Sequence, residues 1–563
     1  MVGNCPLLFR FCRVGLMLAV LAGVSACNDA NTDTTVLGVS AVYPESGATN
    51  VPLNIVLRAA FNKSIQQASL DSTTFSIDGV SSTTKANARS ASLTPSSPSP
   101  LQPNTVYTVT LKGGTNGIKD LNGNALPNDY TWSFTTGTSV SSYPCDNFYT
   151  AGFTLVSGFD ATTKPVVAQP AKGIPFTDPT YSTCIVRVTD AASEPPDTFA
   201  RNDYSRRQAF NADDSLVLVY AVDGTWHLYD AQTMEHVKAL VGVGGEPEPQ
   251  WHPSNPDLIY SLPSFGGMEI RETNVKTDAQ RIVADFTQPD SNGLKVTDVW
   301  PTAARIWTGS EGSPSVDGRY WGFLIQDASY NYLGLMTYDM QTNTITGTFS
   351  NAAGYEADDP NNVSMSPSGE YIVAQFGIND RPLGPGPDGG PIAFTRNFSS
   401  HRYLRPNGLV GHNDIAIDAN GDDVFVGGDH NSGHLFMTNL RTGVSTNLFN
   451  FWQDCSFYAN HVSGKAFYKP GWVVVSSFAS PGCWANDKVF VVELTANPRI
   501  LHLAHHHTVF GPSSFSYFSQ PHASPNRDLT RIVFNSNWDT TDIANDWQHV
   551  DTYMIQIPAD AIP

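Results

Sequence analysis

Residues 417–449 read IDANGDDVFVGGDHNSGHLFMTNLRTGVSTNLF, and this stretch decides the fold. An Asn-Gly turn at Asn420-Gly421 precedes an apolar strand, a second strand follows, and a Thr-Gly turn at Thr442-Gly443 ends the unit. A unit of about 40 residues with this order recurs from Phe210 to Pro558. Because a period of this size in an all-β sequence is typical of a β-propeller, we predict a propeller.

Seven units can be counted, and no helix longer than two turns is expected. The units are Phe210–Leu240, Trp251–Phe286, Pro314–Phe349, Met365–Ala393, Ile417–Phe449, Val462–His506 and Ala523–Pro558. A lone strand at Cys184–Asp190 is predicted to complete the last blade and to close the ring without an open edge. The turns within the seven units, among them Ser315–Gly318 and Ser366–Gly369, resemble the S-P-D-G turns of TolB-like and WD40-like propellers.

The segment 36–137 has a different pattern, with short β-branched runs broken by Pro, Gly and Asn. Thr105–Leu111 alternates with a period of two, which indicates a half-buried strand in a small β-sandwich. Four stretches of this segment resemble the bacterial Ig-like domain first described in S-layer proteins, the SbsA type: Tyr43–Pro52, Leu101–Tyr107, Lys119–Asn124 and Trp132–Thr136. The resemblance implies a spacer or adhesion module. The predicted fold class is therefore all-β, an Ig-like β-sandwich followed by a seven-bladed β-propeller.

The N-terminus reads as an export signal. Arg10 and Arg13 precede an apolar run from Val14 to Ala26 that is too short to span a bilayer comfortably. The run ends in Val24-Ser25-Ala26-Cys27, which resembles the lipobox of bacterial lipoproteins. This resemblance implies a signal peptide at 1–26, lipidation of Cys27, a polar tether at 27–35 and a membrane anchor in the cell envelope, with the outer membrane, on its periplasmic or surface face, as the expected place.

The cysteine count and the net charge limit which disulfides and which partners are expected. Cys145, Cys184, Cys455 and Cys483 remain after Cys5, Cys12 and Cys27 are set aside, and an even number in an exported chain suggests disulfides. Their spacing favours Cys145 with Cys184 and Cys455 with Cys483 among three connectivities. The net charge of −20 argues against nucleic acid as a partner. Residues 138–200 are expected to form a linker with the closing strand, and 201–563 the propeller.

Histidine is concentrated near the C-terminus, with His502, His505, His506 and His507 within six residues and Gln520-Pro521-His522 shortly after. Imidazole is a common metal ligand and general base, so this run invites a metal or acid-base hypothesis. In a propeller, loops from every blade converge at the mouth of the axial channel. The densest basic cluster, in Arg201–Asn211, opens the first unit and supplies Arg206 and Arg207.

Three stretches are similar to oligogalacturonate lyases, seven-bladed propellers that bind a divalent metal through histidines and a glutamine. They are Tyr204–Tyr220, Gly411–Asp418 followed by Asp423–Asp429, and Gln520–Ser524 followed by Arg531–Ser536. The resemblance implies His412 and His522 as metal ligands, with Gln520 where the family has histidine, and we add His505 as a further candidate. The metal is expected to be Mn, Ca or Zn. Other propeller lyases, including ulvan lyases, use the same general scaffold.

The chemistry implied is β-elimination on a uronate-containing polysaccharide. Such a site needs a positive charge at the carboxylate and a base for the C5 proton. Arg206 and Arg207 are candidates for the first role, and His461 or one of His505 to His507, with His506 preferred, for the second. Two alternatives remain open. One is a non-catalytic propeller that binds a glycan or protein partner, and the other is a glycoside hydrolase using Glu246, Glu248 or Glu311.

Overall fold

The computed structural model describes residues 36–563, apart from 45, 50, 56, 88–89, 97–100, 139–142, 146–147, 151, 194–199, 352–358, 378–388, 407, 454–458, 479 and 513. The described chain is almost entirely antiparallel sheet. Its longest α-helix, α1, has four residues, Val296–Val299. Four 3-10 turns lie at Gln67–Ser69, Phe451–Gln453, Ser514–Ser519 and Asp546–His549. Within these residues no helix is long and apolar enough to cross a membrane.

Two sheets form the N-terminal β-sandwich. Its strands are β1 Val39–Tyr43, β2 Leu57–Phe61, β3 Phe75–Ile77, β4 Ser82–Asn87, β5 Ser90–Pro95, β6 Val106–Leu111 and β7 Tyr130–Thr135. They pair in the orders β1-β2-β5-β4 and β3-β6-β7. The alternation predicted around Thr105–Leu111 is the buried pattern of β6, in which Tyr107, Val109 and Leu111 face the core. The Ig-like sandwich is confirmed.

Seven further sheets follow, and they confirm the seven-bladed propeller. Two short strands come first, β8 Phe176–Thr177 and β9 Cys184–Arg187. Blade one contains β10 Ala200–Arg201, β11 Leu216–Ala221, β12 Thr225–Asp230 and β13 His236–Gly244, and blade two contains β14 Gln250–Trp251, β15 Leu258–Ser261, β16 Glu269–Asn274 and β17 Gln280–Asp285. Blade three contains β18 Ala303–Trp307, β19 Tyr320–Asp327, β20 Tyr332–Asp339 and β21 Thr344–Ser350.

Blades four to seven continue the same order. Blade four contains β22 Val363–Met365, β23 Tyr371–Gln375, β24 Pro391–Thr395 and β25 His401–Tyr403, and blade five contains β26 Val410–Ile417, β27 Asp423–Asp429, β28 His434–Asn439 and β29 Ser445–Asn450. Blade six contains β30 Ala459–Ser463, β31 Trp472–Phe478, β32 Lys488–Glu493 and β33 Ile500–His505. Blade seven contains β34 Ser524–Pro525, β35 Arg531–Ser536 and β36 Asp551–Gln556. Runs such as Val473–Val475 are buried on both faces because apolar layers join neighbouring blades.

The seventh blade takes strands from both ends of the propeller sequence. Its order is β34-β35-β36-β9-β8, so β9 pairs with β36 and closes the ring. β9 lies within the segment Cys184–Asp190 that was predicted to complete the last blade. A disulfide joins Cys184, at the start of β9, to Cys145. Cys483 is also disulfide-bonded, and its predicted partner Cys455 lies outside the described residues.

The predicted units start too late in most blades. The unit predicted to begin at Pro314, for example, omits β18, which pairs with β19. Four of the seven first strands, β10, β14, β22 and β34, have only two or three residues, so in those blades the apolar periodicity begins at the second strand. The first strands β26 and β30 of neighbouring blades contact each other. In a propeller the first strands of the blades surround the central channel, so the residues at their openings share one end of it.

Candidate functional site

The candidate site lies where the first strands of the blades open. In blade one the strand stops after Arg201 and resumes at Phe210, which bridges Val217. The intervening residues, with the polar sequence Asn-Asp-Tyr-Ser-Arg-Arg-Gln, leave the sheet and carry Tyr204 and Arg206. Blade three makes a similar excursion between Trp307 and the turn at Ser315, which carries Glu311.

Blades five, six and seven supply the imidazoles. His412 and Asn413 form a bulge in β26, since together they oppose Gly427. A Cβ atom at Gly427 would lie 3.0 Å from the Asn413 Cβ, so the glycine makes room for this bulge. His461 lies in β30 opposite Ser476. His522 comes just before β34 with a φ of 40°, a left-handed conformation that costs free energy for a non-glycine residue.

These three histidines pack against one another. The ring centroids of His412 and His461 are 4.2 Å apart, and those of His461 and His522 are 4.1 Å apart. His461 Nε2 lies 2.7 Å from the Gln520 Oε1 atom. Burial lowers the pKa of His412 to about 3 and the pKa values of His461 and His522 well below their usual value. All three rings are therefore neutral at pH 7, the form that binds a metal or accepts a proton.

Arg206 is the buried cation beside this group. The side chain is 4% exposed, and one guanidinium nitrogen donates to Glu311 Oε2 at 2.5 Å. Its Nε atom has no hydrogen-bond partner among the described residues. The guanidinium also lies 5.3 Å from the centre of the Tyr204 ring. Arg206 therefore has one buried N–H donor that no described residue accepts.

Tyr204 contacts all three histidines, and the sequence analysis did not predict it as a site residue. Its hydroxyl lies 3.0 Å from His412 Nδ1, and its ring centre is 5.3 Å from that of His461 and 4.7 Å from that of His522. Burial raises its pKa well above the usual value, so the phenol keeps its proton. The signal that was available is its place in the basic cluster Arg201–Asn211.

Asn535 in β35 positions the His522 loop, and it too was missed. Its side chain accepts a hydrogen bond from the Asn202 N–H at 2.9 Å and donates to the Gln520 carbonyl at 3.4 Å. Asn202 in turn donates to the His522 carbonyl at 2.8 Å. Blades one and seven are thus joined at the site by amide side chains. No sequence pattern distinguishes this asparagine from others in strands.

Arg207 is placed in structural contacts. Its guanidinium donates to Asp203 and to the carbonyls of Pro249 and Ser310. Lys465 is similarly buried and pairs with Asp414 at 3.1 Å. Glu248, a candidate of the hydrolase alternative, accepts hydrogen bonds from the N–H groups of Thr308 and Ser310. These groups join blades and shape the floor of the site.

The rim of the site is polar and aromatic. Tyr517, on the 3-10 turn Ser514–Ser519, is 38% exposed, and its ring centre lies 5.4 Å from that of His522. The Tyr517 carbonyl partly opposes the lowering of the His522 pKa by burial. Neither ring nitrogen of His522, however, has a hydrogen-bond partner among the described residues. Glu246 is half-buried, and burial raises its pKa to about 7.

The structure does not bring His505 to this site. His505 lies on β33, three strands away from His461 on β30, a separation of about 14 Å at the usual strand spacing. His506 is also placed elsewhere: its Nε2 bonds the Ser477 carbonyl at 3.1 Å and its Nδ1 accepts from the Thr508 N–H. The structure therefore places neither His505, a predicted ligand, nor His506, a predicted base, at the site. It groups His461, the other predicted base, with His412, Gln520 and His522.

The histidine run instead holds a segment of the linker, Phe153–Thr183, which we call the clasp. His502 Nε2 bonds the Gly158 carbonyl at 2.8 Å, and His505 Nε2 bonds the Thr162 carbonyl at 3.2 Å. The Tyr181 ring stacks on both imidazoles, each at 5.1 Å. His507 pairs with Asp539, which also binds Lys164 of the clasp. These histidines serve a structural role.

A pH-dependent stability follows from the clasp. Burial lowers the pKa of His502 to about 4 and the pKa values of His505 and His506 to about 3, against about 6.5 in an unfolded chain. Between about pH 6.5 and pH 4 the unfolded chain therefore binds protons that the folded chain does not, so stability falls as the pH falls. We expect the melting temperature to be flat above about pH 7 and to drop below about pH 6.5. The His502→Asn variant should show a shallower drop, and equal melting temperatures at pH 7 and pH 5 would contradict this account.

The donors of the site suit a metal ion, although their arrangement is not a closed coordination shell. Three neutral imidazoles and an amide oxygen are ligands that divalent metals accept, and His461 Nδ1 has no partner among the described residues. In the described part of the chain, however, no three His, Cys, Asp or Glu side chains are arranged so that they could hold one metal ion together. The rings would have to rotate from their mutual packing to share one ion.

Parts of this chain are similar to known proteins. Residues 33–136 match the bacterial Ig-like domain family. An oligogalacturonate lyase solved in complex with manganese is similar over 72% of this chain and 97% of its own, at 15% identity and a TM-score of 0.46. The oligogalacturonate lyase of Vibrio parahaemolyticus gives 12% identity, coverage of 68% and 96%, and a TM-score of 0.47. TolB of Acinetobacter baumannii gives 13% identity, coverage of 54% and 63%, and a TM-score of 0.29. No curated protein matches the chain.

Proposed function

We propose that this protein is a polysaccharide lyase that cleaves a uronate-containing glycan by β-elimination at the openings of the propeller blades. The observation that carries the proposal is the buried Arg206 guanidinium. Its Nε has no hydrogen-bond partner among the described residues, and its charge helps to lower the pKa values of neutral imidazoles from three other blades. A cation for the substrate carboxylate and a neutral base are the two groups that this elimination requires.

The chemistry assigns one role to each group. Arg206 donates to the uronate carboxylate and stabilises the charge that develops on it. His461 accepts the C5 proton, the C5–H electron pair forms the C4–C5 double bond, and the C4–O bond breaks. The proton that His461 has accepted then passes to the leaving oxygen, so the ring returns to its neutral form. The products are one fragment with a new reducing end and one fragment with a C4–C5 unsaturated uronate at its non-reducing end.

A divalent metal would be held by His412, Gln520 and His522, with His461 kept as the base. When bound, it would supply a second positive charge to the substrate carboxylate. The neutral state of the His412 and His522 rings leaves a nitrogen lone pair on each available for this role.

The test is a search for unsaturated products. Purified full-length protein is incubated with polygalacturonate, alginate and ulvan, and products are followed by the ultraviolet absorbance of the double bond and by mass spectrometry. The proposal expects such products from at least one polymer and their loss in His461→Ala. His505→Asn, a change in the clasp, is the matched control and should remain active. If no polymer gives unsaturated products, the lyase proposal is wrong.

A non-catalytic binding propeller is the second candidate, and the ion pairs favour it. The cations Arg206, Arg207 and Lys465 each already pair with a carboxylate of the protein. Such pairs stabilise the packing between blades without any catalytic role. This candidate expects a glycan or protein to bind at the same face without products. Calorimetry with the same three polymers separates the two cases, because binding without cleavage supports the second.

We also propose that Cys27, which lies outside the described residues, is lipidated and anchors the protein in the bacterial envelope. The resemblance of residues 24–27 to a lipobox supports this. The wild type should partition into the detergent phase and carry the added mass of acyl chains, and Cys27→Ala should lose both. Detergent phase separation with intact-mass analysis measures this, and a wild type of unmodified mass in the aqueous phase would exclude the anchor.

A further inference from the structure

We infer that Phe265, Arg305 and Tyr330 form a second contact for an acidic polysaccharide, a subsite on blades two and three that binds one uronate residue of the chain. The inference extends the proposed function to a further part of the same polymer, and it rests on that proposal for the choice of ligand. Binding at this subsite is measurable whether or not the protein cleaves the polymer.

Two exposed aromatic side chains flank the subsite. Phe265 lies in the loop between β15 and β16, Tyr330 lies in the loop between β19 and β20, and they are 47% and 43% exposed. Their φ angles are 58° and 65°, a left-handed conformation that bulky residues rarely adopt and that costs free energy. Glycine or asparagine would suit both loops better, so the stability of the fold does not explain the two rings.

Arg305 in β18 places a positive charge between these rings. Its Nη1 atom donates to the Phe265 carbonyl at 3.2 Å, and its guanidinium carbon lies 4.0 Å from the centre of the Tyr330 ring. Its Nη2 atom donates to no described residue, and no described carboxylate pairs with it, although the chain has 52 acidic and 32 basic residues. A stacked guanidinium keeps a fixed orientation and binds carboxylates well. Arg305 is therefore a positioned cation with a donor for an acidic ligand.

Hydrogen bonds fix the loop that carries Tyr330. The Trp307 Nε1 atom donates to Gln326 Oε1 at 2.7 Å, and Gln326 Nε2 donates to the Tyr330 carbonyl at 3.1 Å. The Trp307 ring also lies edge-on to the Phe265 ring, with their centres 6.4 Å apart. Because side chains that are already ordered lose less conformational entropy on binding, this arrangement favours a ligand.

The subsite adjoins the rim of the candidate site. The Phe265 N–H donates to the carbonyl of Glu246 at 3.0 Å. Arg305 lies six residues before Glu311, the partner of Arg206, and an extended chain of that length spans at most about 20 Å. A polymer of several sugar residues can therefore contact both arginines. The C–H face of a sugar ring packs on an aromatic ring and a carboxylate pairs with a guanidinium, so a uronate fits both features.

The test is calorimetric titration of the full-length His461→Ala protein, in which cleavage does not consume the ligand, with polygalacturonate, alginate and ulvan. We expect at least one polymer to bind, and Arg305→Gln in the same background to weaken that binding by about 10-fold or more, because a charged hydrogen bond is lost. Arg271→Gln is the matched control. Arg271 is an exposed cation of blade two that already pairs with Glu269, so its loss should leave the binding unchanged.

Phe265→Asn separates a binding role from a structural one. A positive φ costs asparagine less than phenylalanine, so we expect the melting temperature of this variant to be equal to that of the wild type or higher. Its binding of the polymer should nevertheless be weaker, because the ring that packs on the sugar is gone. A lower melting temperature with unchanged binding would show that the ring serves the fold, and it would overturn the inference.

The remaining outcomes distinguish this inference from the proposed function. Unchanged binding in Arg305→Gln overturns the inference, and so does a protein that binds none of the three polymers. Binding that depends on Arg305, without unsaturated products from the protein that retains His461, supports the inference and overturns the lyase proposal. If that protein is a lyase, Arg305→Gln should raise the KM for the polymer and leave kcat unchanged. Products formed with an unchanged KM support the lyase proposal and overturn the inference.

Discussion

In the Arg206→Ala variant we expect the elimination rate to fall by about 10²–10³-fold and the free energy of unfolding to fall by about 3–5 kcal/mol. The rate falls because the charge developing on the substrate carboxylate loses its buried donor. The stability falls because Glu311, 2.5 Å from Arg206, is left as an unpaired charge in the interior. Denaturant unfolding and the product assay measure the two effects on the same preparation.

A double variant separates the two effects. Arg206→Met combined with Glu311→Gln removes both charges, and replacing a buried ion pair by uncharged groups is often close to neutral for stability. We expect this variant to regain most of the lost stability and none of the lost activity. Activity restored together with stability would mean that Arg206 has only a structural role, and it would favour the binding propeller.

Replacing Tyr181 should have the largest effect on stability outside the site. The side chain is 2% exposed, lies between the His502 and His505 rings, and donates from its hydroxyl to Asp160 at 2.8 Å. We expect Tyr181→Ala to lower the free energy of unfolding by about 3–5 kcal/mol, as truncation of a buried aromatic ring does. Chemical denaturation followed by circular dichroism measures this loss.

Two controls define the origin of that loss. Tyr181→Phe keeps the stacked ring and loses only the bond to Asp160, so we expect a loss of about 1 kcal/mol. Tyr130→Ala removes a tyrosine that is 38% exposed in the Ig-like sandwich and should change stability by at most about 0.5 kcal/mol. Equal losses for Tyr181→Ala and Tyr130→Ala would show that the clasp does not stabilise the propeller.

Much of the fold is predictable from the sequence because its signals are local. Second and third strands such as β27 and β28 are buried apolar runs bounded by turns, and they mark each blade. The closing strand β9 was recognisable as an apolar run without a hairpin partner beside it. The first strands were harder to place, because β10 and β14 have two residues each and depend on pairing across the blade.

The site was predictable only in part because its contacts join residues far apart in sequence. His412, His461 and His522 share a site because they lie at the openings of three consecutive blades, and the family-like motifs indicated His412 and His522. The dense histidine run was misleading. A bulge at Leu503 places His502 and His505 on the same side of β33, where both stack on Tyr181. The position of a bulge and the path of the clasp are tertiary features, so sequence spacing did not distinguish these structural histidines from ligands.

The central claim is that the functional histidines are those at the blade openings, and metal content tests it most directly. Full-length wild type, His522→Ala and His505→Asn are loaded with Mn²⁺, dialysed and measured by elemental mass spectrometry, with folding checked in parallel. The account predicts about one metal per chain in the wild type and in His505→Asn, and none in His522→Ala, because imidazole nitrogens are the main donors. Metal lost in His505→Asn but kept in His522→Ala, or no metal in any of the three, would contradict the account.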